Sequence, residues 1–254
     1  MKKDEAQEDD GVRINKYLSS LGIAARRKID EMILEGRVLV NGKLLKKPGI
    51  KIDIKKDSIK IDNKIVTPKE TNLIYILLNK PKGTITSTSD DKKRPTIFSC
   101  LPEFHERIYP VGRLDFASEG ALLLTNDGEL AYKLTHPKFL VTKIYTVKVS
   151  GIPDQGDLKL IRKKLLESTQ KHKVDPKFQQ NCKIVEKSGN NAWMEFNIYE
   201  GKNREIRNLC EMVYHPVLKL KRTKFAFLTL KDLPIGEFRF LKDKEIKMLR
   251  NITK

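Results

Sequence analysis

In the segment GRLDFASEGALLLTNDG, residues 112–128, an apolar run of alanine and leucines is closed by the turn signal Asn126-Asp127-Gly128. A run this short and apolar, bounded by turn residues, predicts a buried strand over 121–125. A second apolar run, 73–78, reads as a central strand, after which Pro81 and Gly83 force a loop carrying Lys80 and Lys82. Two such strands must be covered by other layers. One carboxylate, Asp115, stands between the basic lead-in Gly112-Arg113-Leu114 and the first of these strands. Alone, it reads as a turn cap with Arg113 as a solvated neighbour.

Further strands are predicted over 142–151, 181–187, 192–201, 217–222 and 225–230, and helices over 129–136, 155–167 and 203–213. Strands outnumber helices, and hairpin signals such as Ser188-Gly189-Asn190 recur. The class is therefore α+β, with a mixed, mostly antiparallel sheet flanked by helices. In the helix over 203–213, Ile206, Leu209, Cys210 and Val213 form the core stripe and leave Arg204, Arg207, Asn208 and Glu211 on another face.

The front of the chain has a different pattern. Ile14, Tyr17, Leu18 and Leu21 recur at helical spacing and end at Gly22, while Ile29, Met32 and Ile33 mark a second helix that stops at Gly36. Arg26, Arg27 and Lys28 crowd the first turn of that second helix, where cations oppose the helix dipole, so helix stability does not explain them. Val38 and Val40 then alternate before Asn41-Gly42, a strong hairpin signal. The segment TPKETN is polar, contains Pro68 and separates two periodic regions. The expected organisation is an acidic disordered tail over 1–10, a small module over 11–66, a linker over 67–72 and a larger domain over 73–254.

Charge narrows the function classes. The chain has 51 Lys and Arg against 33 Asp and Glu, a net charge of +18, with the cations concentrated over 26–60 and 202–224. Such an excess points to a polyanionic partner. Cys100, Cys182 and Cys210 form no paired motif, and His105, His136, His172 and His215 are scattered, so neither a disulfide framework nor a metal site is expected. No apolar run approaches the ~20 residues of a membrane helix, and the N-terminal residues lack a signal-peptide core. A soluble cytoplasmic protein is the expectation.

Two helices and a hairpin with a basic first turn resemble the S4 RNA-binding domain, a resemblance carried by ARRK and GRVLVNGK over residues 12 to about 60. It implies RNA contacts by Arg26, Arg27, Lys28, Arg37 and Lys43. One departure is Ala25, where many S4 domains carry a capping Ser. The larger domain resembles the pseudouridine synthases of the Rsu type. Its signature is followed position by position by GRLDFASEGALLLTN, and supported in order by NKPKGTITS, KIYTV, EGKNREIRNL and LKLKRTKFAFLTL.

This second resemblance implies an isomerase that converts uridine to its C-glycoside isomer in rRNA. Asp115 would be the catalytic carboxylate, Arg207 the cation that keeps it charged, and Tyr145 a residue lying against the base. It further implies substrate contacts by Arg113, Leu114, Leu209, Lys80, Lys82, Lys202 and Arg204, and requires no cofactor or metal. A base inside a stacked helix must flip out to meet the carboxylate. The partner would be ribosomal RNA or a ribosomal-subunit assembly intermediate, with no membrane, and the enzyme a monomer. Large-subunit 23S rRNA is favoured over small-subunit 16S rRNA, because the S4 module and the compact segment 200–222 resemble the large-subunit branch. The competing class is a non-catalytic S4-containing RNA-binding or ribosome-assembly factor, disfavoured by the presence of Asp115, Tyr145 and Arg207 together. A DNA-binding protein ranks last, since no reading helix with a dimer element is evident.

Overall fold

The computed structural model describes residues 11–68, 72–169 and 180–252. The acidic stretch 1–10, His172 and much of the expected linker lie outside them. The chain divides into two compact units, Met1–Asn72 and Leu73–Lys254.

In the first unit β1 (Val12–Arg13) leads directly into α1 (Ile14–Ser20), followed by α2 (Arg26–Leu34). The strands β2 (Val38–Val40), β3 (Lys43–Leu44), β4 (Lys51–Ile52), β5 (Ile59–Ile61) and β6 (Lys64–Ile65) complete it. They form a sheet of order β3-β2-β5-β6 and a separate β1-β4 pair. Ile14, Leu18, Ile29, Ile33, Val38 and Ile59 share one core. The buried Asn15 ties the two helices together by donating to Asp30 at 2.9 Å and accepting from Arg26 at 3.1 Å. Ala25 caps α2 with extended backbone but no side-chain hydrogen bond, so the ~1 kcal/mol of a Ser cap is absent. The β2–β3 turn is Asn41-Gly42, both at positive φ, as a type I′ turn requires.

The second unit contains, in chain order, β7 (Tyr75–Lys80), β8 (Tyr109–Pro110), β9 (Glu119–Thr125), α3 (Gly128–Thr135), β10 (Lys143–Ser150) and α4 (Gln155–Thr169). There follow β11 (Asn181–Ser188), β12 (Asn191–Ile198), α5 (Glu205–Met212), β13 (Val217–Phe225), β14 (Leu228–Thr229), β15 (Phe238–Phe240) and α6 (Asp243–Asn251). The sheet order is β11-β12-β10-β13-β9-β7-β15, with β14 on β13 and β8 on β9. Among its described strand pairs only β9 with β13 is parallel.

The two apolar runs are continuous because alternate residues feed two cores. Ile76, Leu78, Leu122 and Leu124 enter the core covered by α4 and α5, whereas Leu77, Ala121 and Leu123 enter the one covered by α3 and α6. Several details differ from the sequence reading. β7 begins two residues later than expected and reaches Lys80. The segment 225–230 is not one strand, because Ala226 turns at φ 52 between β13 and β14. The strand β15 and helix α6 have no counterpart in the sequence reading. No helix among the described residues is long and apolar enough to cross a membrane.

Candidate active site

One register row across the sheet assembles the site. Lys80 on β7 is opposite Gly120 on β9, Gly120 is opposite Arg222 on β13, and Arg222 is opposite Tyr145 on β10. The loop carrying Asp115 enters β9 just before this row, so sheet register fixes where the carboxylate stands relative to Tyr145. Two irregularities permit the row. Gly120 has φ +114, and a Cβ there would stand 2.2 Å from the Arg222 carbonyl oxygen, so only glycine lets the strands meet. On β13 the register shifts opposite Ile144 and Tyr145, leaving Thr223 as an extra residue. Beside that bulge Leu220, Arg222 and Phe225 are all buried, Leu220 in the core covered by α4 and α5 and Phe225 in the one covered by α3 and α6.

The Asp115 loop is pinned through its backbone. The Thr86 hydroxyl donates to the Leu114 carbonyl at 2.6 Å and accepts from the Leu114 N–H at 3.2 Å. Gly83 N–H donates to the Phe116 carbonyl at 2.8 Å. Lys80, expected to meet substrate from a loop, is instead the last residue of β7 and 0% exposed. Its ammonium donates to the carbonyls of Pro81 (3.0 Å), Asp115 (3.2 Å) and Ser118 (2.9 Å). Three acceptors match its three donors, so Lys80 shapes the loop and is not available to RNA.

Burial lowers the Lys80 pKa to about 8. Losing that proton leaves two N–H donors for three carbonyls. We therefore expect kcat to fall as pH rises through about 8, and Lys80→Met to be slow at every pH without that limb. Stability carries the opposite sign. The unfolded chain keeps this proton until its ordinary 10.5, so the group adds stability as pH climbs from about 8 to 10.5. Profiles of kcat against pH for both proteins, beside their thermal melts, separate loop loosening from unfolding. An alkaline limb that persists in Lys80→Met would assign it to another group.

The loop, β10 and α5 enclose a cleft of about 290 Å³. Tyr145, Ile198 and Leu220 form its buried floor, with Leu114 beside them, and the exposed Arg113, Lys202 and Arg204 stand at its rim. The Asp115 side chain is 46% exposed and lies 3.9 Å from Arg207 Nε, a loose ion pair. Arg207 Nη2 reaches the Ser118 hydroxyl at 3.4 Å and the Ala117 carbonyl at 3.5 Å. Its buried Nε has no hydrogen-bond partner among the described residues. Burial and then the neighbouring Arg204 lower the Arg207 pKa, yet a guanidinium stays charged at working pH. Arg207 therefore presents an incompletely satisfied cation to the carboxylate. Glu205, also in the lining, accepts the Lys202 N–H at 3.2 Å, and burial raises its pKa.

Sequence reasoning missed Arg222, which is 2% exposed. Its Nε donates to the Ala121 carbonyl at 2.6 Å and its Nη1 to the Tyr145 hydroxyl at 3.4 Å, while the guanidinium lies over the Phe225 ring at 5.2 Å. The available signal was an arginine in alternation with Leu218 and Leu220, while Lys219 and Lys221 alternate on the other face of the strand. Leu209, expected at the substrate, packs against the core and does not line the cleft, because its place on α5 faces the sheet. Lys82 is exposed on the loop after β7, outside the lining. In the first unit Arg27 and Lys43 are exposed, Lys28 pairs with Glu31 at 2.9 Å, and Arg26 is bonded to Asn15. Arg37 is already bridged to Asp62 at 2.7 Å and Glu35 at 3.1 Å. Among the described residues no group of three or more His, Cys, Asp or Glu is placed to hold a metal.

Chemically, the cleft offers one half-exposed carboxylate, one tyrosine ring and a ring of cations, an arrangement suited to a planar ligand carried on a polyanion. Residues 74–212 match the family model for RNA pseudouridylate synthase, and residues 12–59 match that for the S4 domain. The chain belongs to the RNA pseudouridylate synthase family. This pseudouridine synthase is 39% identical to the ribosomal large subunit pseudouridine synthase B of Bacillus subtilis (strain 168), over 95% of this chain and 96% of that one. It is also 37% identical to an uncharacterized RNA pseudouridine synthase of Aquifex aeolicus (strain VF5), over 94% and 93% of the two chains. A crystal structure of a pseudouridylate synthase shares the fold, with a TM-score of 0.63 at 24% identity over 94% of this chain and 99% of that one. The synthase therefore catalyses isomerisation of uridine to pseudouridine in RNA. Its matched region contains Asp115, Tyr145 and Arg207, whereas Arg222 lies beyond it.

Proposed function

We propose that the chain isomerises a specific uridine of ribosomal RNA, in the large subunit, and that Asp115, Tyr145 and Arg207 carry the reaction. The observation that carries this reading is the half-exposed Asp115 carboxylate, set 3.9 Å from the buried Arg207 guanidinium in a cleft floored by Tyr145. The likeness to a relative named for the large ribosomal subunit, extending over nearly all of both chains, supports the substrate.

In the reaction the N1–C1′ bond breaks, a C5–C1′ bond forms, a proton leaves C5 and N1 gains one. Asp115 acts at the ribose, either attacking C1′ or removing a ribose proton. Arg207 supplies the opposing charge. Tyr145 supports the detached base and stands ready for the proton at C5. Arg113 at the cleft rim and Leu114 beside its floor hold the displaced nucleotide. The exposed cations of the first unit position the RNA through its phosphates and read no bases. The proposed enzyme is a monomer, and its proposed setting is the cytoplasm.

The test is to map pseudouridines by chemical labelling and primer extension in rRNA from cells with and without this protein. One missing large-subunit position is expected, restored by the wild-type chain and not by Asp115→Asn. A missing small-subunit position would move the target, and an unchanged rRNA map would overturn the rRNA reading.

A further inference from the structure

Outside the cleft, the outward face of α3 carries aromatic rings that the reaction does not use. Leu130, Ala131 and Leu134 bury the inner face of this helix. Tyr132, Thr135 and His136 fall at i, i+3 and i+4 and so share the outer one. Tyr132 is 51% exposed although it is a large aromatic residue. The His136 ring centroid lies 5.0 Å from that of Tyr132, and Phe139 sets its edge against both, at 6.3 Å and 6.4 Å. The rings are held in place. His136 Nδ1 accepts the Lys138 N–H at 3.3 Å, and the Lys138 ammonium sits 4.7 Å from the Phe139 ring centroid.

This face is continuous with the active site. Thr135, one turn from Tyr132, lines the cleft alongside Gly112 and Arg113. The surroundings are cationic, with Lys138 and Arg113 exposed and the chain at +18 overall. A preorganised, half-exposed ring at the edge of a cleft that receives a flipped nucleotide suits a second base from the same strand. Flipping one base unstacks its neighbour, and an aromatic platform replaces the lost stacking regardless of sequence.

We propose that Tyr132, braced by His136 and Phe139, is a stacking platform for an unpaired nucleobase flanking the target uridine. The inference rests on the reading that the cleft takes a uridine of rRNA. Two measurements test it, both on a 23S rRNA transcript. In the first, short-wavelength ultraviolet crosslinking of the full-length wild-type chain to the transcript is followed by mass spectrometry. A nucleotide adduct within residues 130–139 is expected, and it requires no turnover. In the second, steady-state kinetics compare the wild type with Tyr132→Ala and Tyr132→Phe. For Tyr132→Ala, KM should rise about tenfold or more, with a smaller fall in kcat, while Tyr132→Phe keeps the ring and most of the affinity. An exposed position on a packed helix makes misfolding of either variant a minor concern, and matching thermal melts would establish that. Wild-type turnover with neither an adduct in 130–139 nor a KM change would overturn the platform and leave the rRNA reading intact. An adduct without turnover of the transcript would uphold the platform and place the target uridine elsewhere.

Discussion

Asp115→Asn should lower kcat on RNA at least about a thousandfold, or ~4 kcal/mol of transition-state stabilisation, while leaving RNA affinity within a few-fold of the wild type. The substitution is nearly isosteric and the position is half exposed, so packing gives it little to disturb. The loop itself is held through main-chain atoms. Lys80 grips the Asp115 and Ser118 carbonyls and Thr86 grips Leu114, and none of these bonds uses the carboxylate. What is lost is negative charge facing Arg207 Nε across 3.9 Å, together with the lone pair that attacks or accepts a proton at the ribose. Single-turnover rates and filter-binding constants on one rRNA transcript check both halves. A variant with turnover near the wild-type level would remove Asp115 from the mechanism, and one that had lost affinity equally would make it a binding residue.

Much of this site can be read along the chain because it lies in local patterns. The Asp115 loop precedes a strand announced by four consecutive apolar residues, and the hairpin at Asn41-Gly42 is announced by its turn chemistry. Arg207 illustrates a harder case. Helical spacing puts it on the polar side of α5, yet it is buried, because the Asp115 loop packs against that side. Lys80 is misread for a related reason. Its neighbours Pro81 and Gly83 signal a loop, but the strand runs to its last residue, and the carbonyls of the adjacent proline and of two residues in a distant segment offset only part of the cost of burying the ammonium, whose pKa burial still lowers.

Arg222 escapes for a different reason again. Its role depends on a parallel pairing with a strand about a hundred residues earlier and on a bulge that breaks period-two alternation, and neither leaves a local signature. The same applies to β15, a short strand whose existence depends on the open edge of β7.

Gly120→Ala should be the most damaging single-methyl change in the catalytic unit, because it attacks that non-local pairing. The backbone at φ +114 is one that alanine adopts only with strain, of order 1–3 kcal/mol. The added methyl would also meet the Arg222 carbonyl oxygen at 2.2 Å and its amide nitrogen at 2.7 Å. These are main-chain atoms in the middle of a sheet, so no side-chain rotation can relieve the contact, and overpacking of this kind costs a further ~1–3 kcal/mol. The expected loss is therefore roughly 2–6 kcal/mol. Gly189→Ala is the control, since Gly189 also has positive φ, at +57, but nothing lies within 4 Å of its would-be Cβ. It should show conformational strain alone. Urea unfolding of both variants measures the difference, and equal losses would mean that β9 and β13 do not approach as closely as described. Activity should separate them further. Relieving the clash requires β13 to move away from β9, which carries Arg222 off the Ala121 carbonyl and the Tyr145 hydroxyl it now holds. Under conditions where Gly120→Ala remains folded, its single-turnover rate should fall well below that of Gly189→Ala, whose turn lies between β11 and β12 at the far edge of the sheet.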